Sequence, residues 1–369
     1  MGSLLRDLAL LESPSHDPAA QEPVFARLGA ELEGSGLRVR RLPGRQSGGQ
    51  LWAVRRLRRR GAPAQLLLGH CDTVWPAGTL ERMPVELRDG RLAGPGVYDM
   101  KAGLVQGIFA LRALRDLGLD PMVEPAFFIN SDEEIGSAES LSRIERLARR
   151  VRRVYVLEPS LGPAGKLKTR RKGSLRFTIR VYGRAAHSGL DPEKGASAIQ
   201  ELARVINFLY GLAEPQRGIT VNVGVVAGGL RANVVAPEAR AEVDMRVLGW
   251  DDAMRLERTV RDLAASTPGT RLEVLGGIDR PPLEVTPGNR ALWEAAQRCA
   301  EALGIPLDEG TAGGASDGSL TSCIVPTLDG LGAVGDGAHA LHEHVVLARS
   351  PERTALLALL LLEPLSPEG

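Results

Sequence analysis

Residues 65–72, QLLLGHCD, constrain this chain more than any other stretch. The apolar run is short enough to be a buried strand, and it ends on a histidine followed two residues later by an aspartate. In extended backbone, residues i and i+2 face the same way, so His70 and Asp72 stand side by side where the chain leaves the sheet. A carboxylate beside an imidazole accepts one ring N–H, fixes the tautomer and leaves the other nitrogen for a metal. Such a pair calls for more ligands, and residues of the right chemistry follow: Asp99 in GPGVYDMKAG, Glu133 and Glu134 in NSDEEIGS, Glu158 in YVLEPS and His339 in GDGAHALHEH.

Around that segment the pattern alternates between strand and helix. Residues 3–33 read as helical with a break at Ser13-Pro14-Ser15, where His16 is a solvated loop residue. Residues 37–39, 51–54, 123–129 and 154–157 read as strands, 101–117 and 137–151 as helices, and RDGR at 88–91 as a hairpin. Asp99 is then expected at a helix start. Strand, helix, strand, helix, strand implies a mixed, mostly parallel sheet with helices on both faces, and open α/β sheets place ligands at the C-terminal ends of their strands. A lone acid at a strand end is usually a cap, and a Glu pair is commonplace. Five candidates following strand ends in one sheet carry the argument together.

Near Lys172 the character changes. Strand patterns at 174–183, 219–226, 239–247 and 271–275, with helical ones at 196–212 and 251–265, describe a four-stranded, two-helix α+β unit of the ferredoxin-like kind. A length of 369 residues exceeds one compact core. The expected organisation is a catalytic domain over 1–172 and 284–369, interrupted by an inserted lid or dimerisation domain over 173–283.

Charge excludes some partners. With 46 basic and 45 acidic residues the net charge is +1, so neither nucleic acid nor a membrane surface is favoured electrostatically. The one dense basic run, RRLRRR at 55–60, lacks interleaved aromatics and reads as a solvated turn. Cys71, Cys299 and Cys323 are odd in number and form no CxxC, which fits a reducing cytoplasm. The N-terminal segment reads as an amphipathic helix rather than an export signal, and the apolar run at 355–362 falls far short of the ~20 residues that span a bilayer.

The candidate ligands divide between two ions, each needing about three protein ligands and an open position. Asp99 bridges; His70 and Glu158 complete one set, His339 and Glu134 the other. Two divalent ions and three carboxylates leave a single positive charge. Nitrogen and carboxylate ligands without thiolate favour Zn2+, with Co2+ or Mn2+ as substitutes. Glu133 stays unligated, free to take a proton from water held between the ions and pass it to a leaving amine.

The ordered set HCDTV, GPGVYDMKAG, NSDEEIGS, LEPS and GAH followed by Glu343 resembles the M20 family of zinc metallopeptidases, most closely its carboxypeptidase G2-like, glutamate carboxypeptidase branch, from about Leu66 onward. The resemblance implies hydrolysis of an amide bond beside a free carboxylate, with Glu133 as general base and Asp72 orienting His70. The pattern His-x-x-x-Glu-x-Val selects His339 over His342 and His344. The resemblance also implies that His187, in GRAAHSG, reaches a partner subunit's site in a homodimer, assisted by Asn233, although the proline after Asn233 is displaced by one position. Lys166, Arg246, Arg280 and the Gly313-Gly314 loop fall where that branch binds substrate carboxylates, which suits release of a glutamate-like C-terminal residue. Within the same superfamily the alternatives are an aminoacylase, deacetylase or desuccinylase; outside catalysis, a metal-stabilised binding protein is disfavoured by the presence of Glu133.

Overall fold

The computed structural model describes residues 1–56, 59 and 61–365. They divide into two compact units: Met1–Thr169, Val285–Ala312 and the chain from Ser316 form the first, and Arg170–Glu284 with Gly313–Ala315 form the second.

The first unit opens with α1 (Gly2–Ala9) and α2 (Pro18–Gly34), separated at the Ser-Pro-Ser break. The Asp17 side chain accepts the N–H groups of Ala19 and Ala20, and Pro18 stands where its missing N–H costs nothing. Then come β1 (Leu37–Leu42), β2 (Gln50–Arg55), β3 (Ala64–His70), a hairpin of β4 (Glu86–Arg88) and β5 (Arg91–Ala93), α3 (Ala102–Asp116), β6 (Glu124–Asn130), α4 (Leu141–Ala148), β7 (Arg153–Val156) and β8 (Leu167–Arg171).

The second unit holds β9 (Gly173–Tyr182), α5 (Ala198–Tyr210), β10 (Thr220–Gly228), β11 (Glu238–Val247), α6 (Trp250–Arg261) and β12 (Arg271–Arg280). Its antiparallel sheet has the order β10-β11-β9-β12. Leu175, Phe177, Ile179 and Val181 alternate inward from β9 against Leu202 and Leu209 of α5 and Leu256 of α6, while Arg176 and Arg180 face the other way. The chain returns through α7 (Pro287–Ala302), β13 (Glu309–Ala312), α8 (Asp317–Ser322), β14 (Thr327–Leu328), β15 (Gly335–Asp336), β16 (His344–Val346) and α9 (Ser350–Leu362).

The central sheet has the order β1-β2-β6-β3-β7-β14. β1, β2 and β6 pair antiparallel; β6, β3, β7 and β14 run parallel. Period-two alternation sends Leu66, Leu68, Phe128 and Val156 to one face with Ile144 of α4, and Leu67, Phe127, Ile129 and Tyr155 to the other with α3 and α9. His70 lies opposite Asn130 and Leu68 opposite Val156, so three strands end together.

Several expectations change. Asp99 does not begin a helix; it lies in the turn Val97–Lys101, and α3 starts at Ala102. Nor do all five candidate ligands leave one sheet. Asp99 and His339 come from loops of a separate small sheet of order β15-β16-β5-β4. The 137–151 helix is confined to α4, because Ser137 adopts φ +55° and the Asp132 carboxylate holds the N–H groups of Glu139 and Ser140. The basic run is less solvated than its sequence suggests: Arg55 pairs with Asp120, and Arg59 meets the buried Glu124 at 2.8 Å. Residues 57, 58 and 60 of that run lie outside the described residues.

Gly103, in the first turn of α3, lets the helix touch the backbone just after β7: a Cβ there would stand 1.9 Å from the Leu157 carbonyl oxygen. Alanine favours helix by about 1 kcal/mol, but this overlap with backbone costs more. Gly103→Ala is therefore expected to destabilise the protein by about 2 kcal/mol net, read as a lowered Tm; an unchanged or raised Tm contradicts this packing.

Candidate metal centre

The parallel strands deliver three groups to one edge: His70 at the end of β3, the Glu133-Glu134 turn after β6 and Glu158 after β7. The small sheet supplies Asp99 and His339. One Asp99 oxygen is 3.4 Å from His70 Nε2, and the other is 3.4 Å from His339 Nε2. Glu158 approaches His70 Nε2 at 3.6 Å, and Glu134 approaches His339 Nε2 at 3.2 Å. His70, Asp99 and Glu134 offer ligand atoms all within 4.8 Å of one another, as do His70, Glu133 and Glu158.

These spacings suit metal ions better than direct hydrogen bonds. Ligand atoms about 2.0–2.2 Å from a tetrahedral zinc stand about 3.3–3.6 Å apart, whereas hydrogen bonds favour shorter separations. Among the described residues, His70 Nε2, Asp99 Oδ1 and Glu134 Oε1 are buried without a hydrogen-bond partner. Three orphaned polar atoms converging on one spot are what a cation would satisfy. The donor set therefore fits two divalent ions.

Electrostatics agree. Burial opposes charge on His70, yet Asp72, Asp99 and Glu158 outweigh it and hold the imidazole well above its ordinary value. Asp99 and Glu134 raise His339 to about 10. Burial raises Glu134 to about 7, with His339 partly opposing it. Burial also lifts Glu133 well above the usual carboxylate range; His70 opposes, while Glu158, Asp317 and Glu134 add to the rise. Among the described residues the Glu133 side chain accepts no hydrogen bond, so its oxygens are available to water.

Asp72 does more than face an imidazole. His70 Nδ1–H points to the Asp72 main-chain carbonyl at 3.0 Å, with the carboxylate farther away at 3.4 Å. The carboxylate accepts the backbone N–H groups of Glu133 at 3.3 Å and Glu134 at 3.2 Å, and the Ser15 hydroxyl at 2.7 Å. It ties the glutamate turn to the end of β3.

Sequence reasoning passed over four residues here. Ser15 carried no local signal beyond its turn. Lys168 stands 3.8 Å from Glu158. Asp317 accepts from Ser137 and, at 2.8 Å, from Asn130, bracing the strand end before Glu133; the Ser316-Asp317 helix-start pattern could have drawn attention to it. Glu343 was noticed only as part of a spacing pattern.

The substrate-side candidates fall in both units. Lys166, in the first unit, is held by Asp308 at 2.5 Å. In the second unit, Arg246 forms a two-pronged pair with Asp244 at 2.6 and 2.9 Å, and Arg280 is buried at the end of β12. Gly313 and Gly314 have open space around them, and Arg171 donates to the Gly314 carbonyl at 3.0 Å. His187 and Asn233 do come together, through the Ser188 N–H to Asn233 carbonyl bond and the bridge from His187 to Val234. His187 Nδ1 accepts the N–H groups of Gly189 and Leu190, so the ring proton sits on Nε2, which can donate. His16 and His342 are exposed.

An aspartate shared between two histidine–carboxylate pairs, with an unpartnered glutamate beside it, defines a metal-dependent hydrolase of the peptidase and amidohydrolase kind. The chain belongs to the peptidase family M20/M25/M40, which it matches over residues 66–363. It is 25% identical to carboxypeptidase G2 of Pseudomonas sp. (strain RS-16) over 315 residues, 84% of this chain and 76% of that protein. It is 28% identical to succinyl-diaminopimelate desuccinylase of Rhodospirillum centenum, over 96% of this chain and 94% of that one. Its fold matches the Bacillus subtilis YXEP protein, a dinuclear metal-binding M20 peptidase, with a TM-score of 0.74 and 15% identity, covering 98% of this chain and 96% of the other.

Four carboxyl groups crowded around two histidines repel one another unless cations are bound. Removing divalent ions with a chelator is expected to lower Tm by several degrees, with recovery on adding Zn2+, since a ligand at ~1,000 times its Kd stabilises by about 4 kcal/mol. A Tm indifferent to chelator contradicts a metal centre.

Proposed function

We propose that this protein is a dizinc carboxypeptidase that cleaves an amide or peptide bond and releases a C-terminal, glutamate-like amino acid. The observation that carries the reading is the Asp99 carboxylate, with one oxygen toward each histidine. His70 and Glu158 would complete one ion's ligands, and His339 and Glu134 the other's. Bound there, the ions would polarise the scissile carbonyl and acidify water. Glu133 takes a proton from the attacking water as the water oxygen adds to the carbonyl carbon, then delivers it to the departing nitrogen as the C–N bond breaks. Asp72 keeps Glu133 and Glu134 aimed by holding their backbone.

Lys166, Arg246, Arg280 and the Gly313-Gly314 backbone are assigned to the substrate's carboxylates, and His187 with Asn233 to the oxyanion of the tetrahedral intermediate. The second unit, residues 173–283 in our assignment, serves as lid and dimerisation domain. β10 is an edge strand there, with Val225 43% and Val226 58% exposed, which suits pairing with a second copy. We place the enzyme in the cytoplasm on its three free cysteines. Among the described residues no helix is long and apolar enough to cross a membrane.

Carboxypeptidase G2 among the relatives supports the carboxypeptidase reading. The desuccinylase match over nearly the whole chain supports a second one, removal of an acyl group such as succinyl from an amine. A panel of N-acyl amino acids, assayed with and without chelator, decides between them: N-acyl-glutamate is expected to be cleaved faster than N-acyl-alanine, and Lys166→Ala to reduce that preference. Equal rates unaffected by Lys166→Ala remove the acidic specificity. Glu133→Gln is expected to lower kcat by about 10²–10⁴-fold while two metal ions are retained; near-normal turnover removes Glu133 as the base.

A further inference from the structure

Glu343 lies four residues beyond His339, is fully buried and makes no ion pair among the described residues. Four N–H groups surround its carboxylate instead. One oxygen accepts from the Gly96 backbone at 3.0 Å and the Trp75 indole at 2.9 Å; the other accepts from the backbones of Tyr98 at 2.9 Å and Asp99 at 3.0 Å. A carboxylate has about four acceptor positions, so all are occupied.

The turn this carboxylate holds has irregular backbone. Gly96 adopts φ +70°, Asp99 φ −114° and ψ 95°, and Met100 φ −132° and ψ 32°. Its own backbone bonds are few, Lys101 N–H to the Gly96 carbonyl at 3.0 Å and Val97 N–H to the Gly94 carbonyl at 3.3 Å, and the N–H groups of Gly96, Tyr98 and Asp99 need acceptors from elsewhere. Pairing of β5 with β16 delivers one: Leu92 faces Val345, Ala93 faces His344, and the Gly94 N–H donates to the Glu343 carbonyl at 3.3 Å. Three segments meet on this side chain. Trp75 follows His70 and Asp72, the 96–99 turn carries Asp99, and the loop of Glu343 carries His339, itself at φ +61°.

We propose that Glu343 is a positioning residue that sets the separation between the Asp99 carboxylate and the His339 imidazole, and so governs the affinity of the ion held by Asp99, Glu134 and His339. The proposal rests on the dinuclear reading above. His339 stands on the same loop as Glu343, whereas His70 and Glu158 are anchored by the central sheet, so the ion on the His339 side depends on the clasp more than the other. Glu343→Gln keeps the shape but turns an NH2 donor toward two of the four N–H groups. Phenylalanine at 75 removes one donor and leaves the three backbone donors in place.

The test titrates metal-free protein with Co2+, following visible absorption and calorimetry. The unaltered chain is expected to take two ions. Glu343→Gln should bind the first with unchanged affinity and the second about 10–100-fold more weakly, the range typical of groups that orient metal ligands. Trp75→Phe should weaken the second by up to about tenfold and leave the first alone. Unchanged binding of both ions in Glu343→Gln, or equal weakening of both, overturns the proposal. If Glu343→Gln does not fold, Trp75→Phe is judged by the same criterion. An unaltered chain that takes fewer than two ions overturns the dinuclear reading and this proposal with it, while two ions bound with the same affinities by the unaltered chain and by Glu343→Gln overturn only the role of Glu343.

Discussion

A single carboxylate shared between two imidazoles organises this protein. Asp99 stands 3.4 Å from His70 on one side and 3.4 Å from His339 on the other. Everything around that contact is expensive in isolation: buried carboxylates crowd together, and three polar atoms lack partners. Bound cations would turn the same crowding into affinity, because each negative oxygen could serve as a ligand and each unpaired lone pair would find an acceptor of electrons.

Two different constructions hold the two sides of the centre. The His70, Glu134 and Glu158 side grows from parallel strands whose register is locked by alternating Leu, Phe and Val side chains on two packed faces. A one-residue slip in β3 would turn His70 away and bury the wrong face. The Asp99 and His339 side has no such support. It rests on loops of a small sheet, so it is fastened by side chains, with Glu343 receiving backbone N–H groups from a turn about 245 residues earlier in the chain. Asp72 plays the matching part across the centre, holding the Glu133 and Glu134 backbone.

The two units divide the chemistry differently from the chain. The candidate ligands and the candidate base belong to the first unit, while the candidates His187, Asn233, Arg246 and Arg280 belong to the second. Within each unit the substrate-side cations already have partners: Lys166 has Asp308 and Arg246 has Asp244. With Nδ1 of His187 accepting two backbone N–H groups, Nε2 is the ring nitrogen left to donate.

Much of this was legible in the residues alone. Apolar runs located β3, β6 and β7, because burial on both faces of a parallel strand requires them, and the chain order of His70, Asp99, Glu134, Glu158 and His339, with Glu133 beside them, marked out the groups that the fold brings together as candidate ligands. The four-stranded second unit was visible in its alternation. The sequence did not reveal that Asp99 and His339 come from a separate small sheet, that Asp72 bonds the glutamate turn as well as facing His70, that Arg59 pairs with the buried Glu124, or that Glu343 is a hub. Periodicity is a property of neighbours along the chain, and it reports which residues are buried. Hydrogen bonds between segments hundreds of residues apart depend on strand register and loop course, which only the folded chain decides.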